Sequence, residues 1–253
     1  MKINDHGIII SIKKYGENSL LLKIFSQNNG IFSAFIKSAK SSKDKVIFQI
    51  GNLISFEYRA RIEENLGQLY YVDLAKSYCT KIIFNRFKLD CVNSLFSIIN
   101  SFFLEKENQP ILFEKLDSFL HKITLEEITD SEILSEYIKL ELKILKTLGY
   151  GIDLTSCVVT NSTTNLVFVS PKSARAVSLE AGLPYEDKLL KLPSFLANQN
   201  GKFGHDCLEN GLKLSGFFLE KFLFSERQIS DQQSHIRYRK NVERALINMR
   251  NNT

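Results

Sequence analysis

The 253-residue chain has no long hydrophobic run. Its apolar stretches, such as Ile8-Ile9-Ile10 and Leu166 to Val169, fall far short of the ~20 residues a bilayer span needs, which excludes a membrane helix. Asp5 and His6 precede a short apolar run that Lys13 ends, which is not the pattern of a signal peptide. Cysteine is sparse: Cys79, Cys91, Cys157 and Cys207 are far apart and never form CxxC, so no disulfide framework is expected. Long polar tracts are missing too, and with 44% hydrophobic residues the chain has enough apolar material for a sizeable core. Catalytic signatures are equally absent. There is no GxxxxGK[ST], no GxGxxG and no GxSxG. The four histidines, His6, His121, His205 and His235, are dispersed, and each reads as a surface or structural residue. Nothing points to a covalent or metal-dependent enzyme. A cytoplasmic, non-catalytic protein without a cofactor is the expectation.

Charge is what the chain does have, and it is uneven. Residues 1–78 carry eleven basic and seven acidic side chains, residues 79–150 nine and eleven, and residues 151–253 thirteen and ten. Two basic ends flank an acidic middle, and a localised positive field favours polyanions such as nucleic acid.

Strand patterns fill residues 7–76. Gly7 to Ile12, Ser19 to Phe25, Ile31 to Ile36, Leu53 to Arg59 and a last run from Gly67 through Val72 are short and rich in β-branched and aromatic residues. Asn29-Gly30 marks a hairpin, because both residues tolerate positive φ. Ile54, Phe56 and Tyr58 alternate with Leu53, Ser55 and Glu57. The polar stretch Lys37 to Asp44 reads as a basic loop. Five short strands with one long loop suit a small OB-fold barrel. On the run Ile31 to Ile36, an inward Phe32 and Ala34 puts Ile31, Ser33 and Phe35 outward, with the sign left open by the sequence.

Helical spacing follows. Phe84, Phe87, Cys91, Leu95, Ile98 and Phe102 form one apolar stripe. Gln109-Pro110 breaks it, and a shorter helix carries Leu112, Leu116, Phe119 and Ile123. Thr129 with Glu132 is a capping box for a helix through Ile133, Tyr137 and Ile144, closed by Gly149. Cys157 to Thr160 and Leu166 to Val169 read as a hairpin about a turn at residues 161–165. Asp206 is the expected cap of a helix bearing Leu208, Leu212, Ser215, Leu219 and Phe222. Ser230 with Gln233 is the expected cap of a last one bearing Tyr238, Val242, Leu246 and Met249. The fold class is therefore α+β and multi-domain: a barrel over 1–78, then a mostly helical domain over 79–253.

Cations interleave with aromatics in the barrel segment, the pairing single-stranded nucleic acid needs, since cations track phosphates while rings stack on bases. Lys13, Lys14, Lys23, Lys37, Lys40, Lys43, Lys45, Arg59 and Arg61 are the candidate phosphate contacts. Tyr15, Phe35 and Tyr58 are the candidate stacking residues. Arg237, Lys240 and Arg244, at i, i+3 and i+7 beside Arg239, form a second stripe. Cys157-x-x-Thr160 and Ser170-x-x-Ser173 have zinc-ribbon spacing, yet only one of the four positions is a thiol, and one thiolate cannot build a tetrahedral zinc site.

At these residues the chain resembles the bacterial DNA repair protein family RecO over nearly its whole length. Gly7-Ile8-Ile9-Ile10-Ser11 and Tyr15-Gly16-Glu17-Asn18-Ser19 are similar to the family's first strand and YGE turn, and Phe25-Ser26-Gln27 through Asn29-Gly30-Ile31 to its next hairpin. Ala39-Lys40 sits at its basic loop, with Ser38 and Ser42 where glycine or arginine is usual. Leu148-Gly149-Tyr150-Gly151-Ile152-Asp153-Leu154 to Cys157 is similar to the family's LGYGLDLxxC segment. Ser170 to Ser178 looks like the version in members without zinc ligands. The resemblance implies an OB-fold, a helical domain and a metal-free ribbon-like hairpin at about 151–178. It implies binding of single- and double-stranded DNA, annealing of complementary strands, and help in loading the recombinase RecA onto DNA coated by single-strand-binding protein. The implied partners are RecR, RecF in some settings, and the acidic C-terminal tail of single-strand-binding protein, for which an apolar groove edged by Lys139, Lys143 or Lys146 is a candidate seat. Two other readings stay open: a protein-interaction adaptor, and an RNA-binding OB-fold protein, which competition through the 2′-hydroxyl separates.

Overall fold

The computed structural model describes residues 1–37, 39, 41–62, 66–197, 204–224 and 232–251. The chain divides into two compact units, Met1–Glu126 and Glu127–Thr253.

The first unit is built on five strands, β1 Lys2–Tyr15, β2 Ser19–Ser26, β3 Gly30–Ile36, β4 Leu53–Arg59 and β5 Gly67–Lys76. They close into a barrel in the order β1-β2-β3-β5-β4, with β3 and β5 parallel and the other pairs antiparallel. This is the OB-type arrangement. Alternation drives it. Ile9, Leu22, Ile24, Phe32, Ala34, Ile36, Ile54, Phe56, Tyr58 and Leu69 fill the interior, while their neighbours point out, as a two-residue side-chain period requires. Phe32 and Ala34 thus face inward, which sends Ser33 and Phe35 outward. The first strand begins at Lys2 rather than Gly7, and a bulge between Ile9 and Ser11 lets it bend around the barrel.

The β2–β3 turn is held by a carboxylate. Asp5, 7% exposed, accepts from Ser26 Oγ, from Asn28 N (3.0 Å) and Nδ2 (2.9 Å), and from Asn29 Nδ2 (2.6 Å). Of Asn29 and Gly30, only Gly30 takes positive φ (+68°), and a Cβ there would sit 2.3 Å from the Glu107 carbonyl oxygen. Glycine is required for two reasons at once.

The expected loop Lys37 to Asp44 is partly helical. Helix α1, Ser42–Ile47, starts at N-cap Ser41. Ser41 Oγ accepts from Asp44 N at 3.0 Å, and the Asp44 carboxylate accepts from Ser41 N at 2.8 Å. This reciprocal capping box satisfies two orphan donors of a short, polar helix. A single turn α2, Cys79–Ile82, follows the barrel, then α3, Arg86–Phe102, and α4, Pro110–Lys122. The apolar stripe does not begin at Phe84. Asn85 caps α3 by accepting from Lys88 N (3.0 Å), and Phe84 projects from the α2–α3 turn 99% exposed. Cys91, Leu95, Ile98 and the α4 residues Leu112, Leu116 and Phe119 are buried.

The second unit opens with α5, Asp130–Thr147, under the capping box of Thr129 and Glu132 expected from the sequence, and Gly149 closes it at φ +90°. Between α5 and the next long helix lies a small sheet of β6 Leu166–Val169, β7 Ala176–Ser178 and β8 Leu190–Lys191, ordered β7-β6-β8, with short turns α6 Leu179–Gly182 and α7 Ser194–Ala197. The hairpin is β6–β7, not Cys157–Thr160 with Leu166–Val169: residues 157–160 form a turn around the Cys157 sulfur. Helix α8, His205–Leu219, has Gly204 at its N-cap, and Asp206 sits inside the first turn instead of capping it. It continues into a π-helical turn, Glu220–Phe224. Helix α9, Gln232–Asn251, buries Val242 and Leu246. Its expected cap, Ser230 with Gln233, lies outside the described residues. All four cysteines are free thiols, and no helix among the described residues is long and apolar enough to cross a membrane.

Candidate nucleic-acid interface

Strand register writes a line of side chains around the outside of the barrel. Lys13 opposes Leu21, Leu21 opposes Phe35, Phe35 opposes Gln68, Gln68 opposes Arg59, and Arg59 opposes Lys2. The circuit ends on β1 where it began, eleven residues along, which is the stagger that closing tilted strands demands. The neighbours Ile12, Leu22, Ala34, Leu69 and Tyr58 point into the core, so this row faces out. Tyr15, two residues beyond Lys13 and 66% exposed, meets Phe35 edge-on at 5.6 Å. Two accessible rings therefore lie beside Lys13 on the outer face.

The sequence-predicted cations divide into used and unused charges. Lys13, Lys14, Lys37, Lys45 and Arg61 are exposed, and among the described residues none has a carboxylate partner. Lys14 and Lys45 line a cleft of about 520 Å³ at the barrel's end with Ile12, Leu20, Asn18 and Phe48. Lys43 has one loose partner, Asp73 at 3.5 Å, with both side chains over 70% exposed. Lys40 lies outside the described residues.

Arg59 is exposed but partly neutralised. It pairs with Glu57, which also binds Lys2 at 2.7 Å. Lys2 first, then Arg59, holds the Glu57 carboxyl below its usual range against the opposing effect of burial. The Arg59 guanidinium sits 4.7 Å above the Tyr70 ring, a cation–π contact that orients it along the barrel wall.

Two of the predicted contacts are engaged within the barrel unit. Lys23 is half-buried: its ammonium donates to the Asn100 carbonyl at 3.1 Å, in the last turn of α3, where a cation complements orphan carbonyls. Tyr58 offers no stacking face. It is 4% exposed, packs against Phe32 at 4.9 Å, and its hydroxyl accepts from Gly67 N at 3.0 Å. Burial raises its pKa. Sequence reasoning missed Tyr70 and Tyr71. Tyr71 is 78% exposed at φ +47°, beside a register shift between β4 and β5. A bulge re-aims a side chain in this way, but it depends on cross-strand register, which local pattern does not carry.

On α9, Arg237, Lys240 and Arg244 are exposed and share one helical face. Arg239 does not join them. Its side chain is 11% exposed and turned inward, bonding Glu141 Oε1 (3.0 Å), the Leu212 carbonyl (2.7 Å), Ser215 Oγ (3.3 Å) and Glu243. Lys139 is drawn to Glu136 (3.0 Å) and lies 5.9 Å from the Phe195 ring. Lys143 is half-buried and Lys146 exposed. None of the three lines a cleft among those described.

The Cys157 sulfur accepts from Val159 N and Thr160 N at 3.4 Å, Ser178 N at 3.2 Å and Ser178 Oγ at 3.4 Å. Burial opposes ionisation, but these donors outweigh it and lower the thiol pKa to about 6. In the second turn of matching spacing, Ser173 N donates to Ser170 Oγ at 3.3 Å. Residues with positive φ, Asn161 (+57°) and Ala174 (+55°), follow the two turns. His205, Asp206 and Glu209 bring ligand atoms within 4.8 Å of one another. Glu209, however, is engaged by Lys213 at 2.6 Å, and the positive end of α8 disfavours a cation there.

A closed OB-type barrel joined to a helical unit defines the class, and comparison with known proteins narrows it. Residues 1–78 match the family described as Recombination protein O N terminal, and residues 84–227 match Recombination protein O C terminal. The chain is 39% identical over 243 residues to the DNA repair protein RecO of Rickettsia typhi, covering 96% of this chain and all of that one. It is 38% identical over 239 residues to the RecO of Rickettsia conorii, covering 94% and 98%. The RecO of Rickettsia bellii is 37% identical over 239 residues, covering 94% and 96%. The chain belongs to the RecO family, which sets its role in DNA repair and recombination.

Proposed function

We propose that this protein binds single- and double-stranded DNA, anneals complementary strands, and helps load RecA onto DNA coated by single-strand-binding protein, without catalysing covalent chemistry. The observation that carries the reading is the outer row of the barrel, where exposed cations stand beside the Tyr15–Phe35 pair. Residues 1–78 act as the DNA-binding domain, and residues 79–253 carry the remaining contacts. Lys13, Lys14, Lys37, Lys45 and Arg61, with Lys43, neutralise phosphates, while Tyr15 and Phe35 stack on bases. Arg237, Lys240 and Arg244 supply a second cationic face. Neutralising phosphates releases counterions, and holding two strands at high local concentration lowers the entropic cost of pairing. The turns at 157–160 and 170–173 act as a metal-free remnant of a zinc ribbon, with hydrogen bonds to sulfur and hydroxyl in place of the ion. RecR, RecF and the acidic tail of single-strand-binding protein are the proposed protein partners, and the cytoplasm the proposed location.

Anisotropy of a labelled single-stranded oligonucleotide, repeated across salt concentrations, tests the reading. The logarithm of the affinity should fall linearly with log salt, by ~0.7 per phosphate neutralised. Absence of binding at low salt refutes it and leaves a docking role, which the fully exposed Phe84 favours. An oligoribonucleotide that competes better than DNA of the same sequence turns the reading toward RNA.

A further inference from the structure

The second unit carries an aromatic ladder that no reading so far has used. Phe218 is fully buried in α8. Phe222 lies nearly parallel to it at 5.7 Å and 12°, and Tyr150 lies nearly parallel to Phe222 at 5.0 Å and 13°. The rings step from core to surface, and Tyr150, the last of them, is 41% exposed. In the barrel, by contrast, Phe32 meets Phe56 at 63° and Tyr58 at 60°; ring quadrupoles favour both such inclined pairs and offset stacks. Phe222 covers one face of the Tyr150 ring, and the ring as a whole stays exposed.

The backbone fixes that ring. Gly149 turns the chain at φ +90° after α5, and Tyr150 N donates to the Leu145 carbonyl at 2.8 Å. Lysines lie on the segments beside it. Lys146 is exposed one turn earlier, and its stem runs past Gly151 closely enough that a Cβ there would lie 3.0 Å from Lys146 Cγ. Lys221 sits 5.0 Å from the Phe222 ring centre and donates to the Pro171 carbonyl at 2.6 Å, which brings the exposed Lys172 to the same neighbourhood. The nearby Asp153 is paired with Arg175 at 3.3 Å. An exposed, stacked ring with lysines on the neighbouring segments suits a nucleobase and its phosphates.

We propose that Tyr150 is a base-stacking platform for single-stranded DNA, with Lys146 and Lys172 on the flanking phosphates. The inference rests on the DNA-binding reading above and adds a site in the second unit. The test uses the full-length protein, an oligo-dT, and an abasic oligonucleotide of equal length. Tyr150→Ala and Tyr150→Leu should each weaken oligo-dT binding about tenfold. Both should leave abasic binding and the salt slope unchanged, because phosphates are still neutralised. Lys146→Gln with Lys172→Gln should instead lower the slope by ~1.4, at ~0.7 per phosphate. A 5-iododeoxyuridine oligonucleotide should crosslink to the peptide containing Tyr150. If both Tyr150 variants bind oligo-dT as wild type does and every crosslink maps to residues 1–126, the inference is overturned while the barrel reading stands. If wild type binds neither oligonucleotide, the DNA-binding reading itself fails. Circular dichroism shows whether a weakened variant is still folded; the leucine variant, which keeps packing on Phe222, decides if the alanine variant unfolds.

Discussion

Arg239 looks in sequence like one more cation of the α9 stripe, and its surroundings make the opposite prediction. Glu141 is fully buried, and its carboxylate accepts from Tyr137 Oη (2.6 Å), Ser215 Oγ (2.5 Å) and Arg239 Nε (3.0 Å). Burial alone would lower the Arg239 pKa, yet Glu141, with Tyr137 and Glu243, raises it, so the guanidinium stays charged. Removing Arg239 leaves the buried Glu141 carboxylate without a counter-charge, and removing the Glu141 charge leaves Arg239 only the partly exposed Glu243; breaking a buried pair costs ~3–5 kcal/mol. Glu141→Gln keeps the shape and part of the hydrogen bonding, so it belongs at the lower end, about 3 kcal/mol. For a unit of this size that corresponds to a fall in Tm of roughly 10 °C. Arg239→Met should cost about the same, because the Glu141 carboxylate is then stranded. The double variant Glu141→Leu with Arg239→Met strands no ion, so although the Tyr137 and Ser215 hydroxyls lose their Glu141 acceptor, it should cost less than the two single changes together. Denaturant unfolding of wild type, Glu141→Leu, Arg239→Met and the double variant closes a double-mutant cycle and gives the coupling directly. Single costs under ~1 kcal/mol, or a double cost equal to the sum of the singles, would refute the argument. Arg239→Met should also leave the salt dependence of DNA binding unchanged, since this side chain neutralises no phosphate.

Three further outcomes follow from local geometry. Gly30→Ala should cost more than ~1 kcal/mol in denaturant unfolding, because it strains a positive φ and drives a Cβ into the Glu107 carbonyl. For Asp5, burial raises the carboxyl pKa, but bonds from Ser26, His6, Asn29 and Asn28 lower it further, leaving it below 3.8. A depressed carboxyl stabilises the fold above its unfolded pKa and loses that contribution as pH falls, so Asp5→Asn should be ~1–3 kcal/mol less stable at pH 7 and lose less than wild type between pH 5 and pH 3. The Cys157 thiol is depressed to about 6 from 9, so its contribution is full above pH 9 and lost as pH falls through 6. The stability advantage of wild type over Cys157→Ser should therefore grow from pH 6 to pH 9, and a gap independent of pH would show that the sulfur is neutral.

The barrel was legible because strand alternation is a local signal. Ile54, Phe56 and Tyr58 could be grouped from their spacing alone, and Thr129 with Glu132 named a helix start from four residues. Helix α1 carries the same kind of signal in Ser41 and Asp44, but its polar residues hid it inside an apparent loop. Other features depend on distant partners. Nothing near Cys157 announces that Ser178 donates to its sulfur twice, and nothing near Lys23 announces the end of α3. Phe84 has the spacing of its stripe yet lies before the cap at Asn85, so it falls off the helix. Arg237 and Arg239 are two residues apart and therefore on different helix faces. Only the position of Glu141 decides which of them is surface.

The same sorting of charges sets a number that separates one-strand from two-strand action. Counting cations in the sequence overstates the field, since Lys23 and Arg239 are committed inside the protein and Arg59 shares Glu57 with Lys2. The six barrel cations assigned to phosphates, Lys13, Lys14, Lys37, Lys43, Lys45 and Arg61, with Lys146 and Lys172 beside Tyr150, would give a single-strand slope of about −5.6 at ~0.7 per phosphate. Adding Arg237, Lys240 and Arg244 on the same strand would bring it to about −7.7. If the α9 stripe serves a second strand, neutralising those three residues to glutamine should leave the one-strand slope near its wild-type value and slow annealing of complementary oligonucleotides. A fall of about 2 in the one-strand slope would mean that barrel and stripe hold one strand, and annealing by bringing two strands to separate sites would be the wrong mechanism.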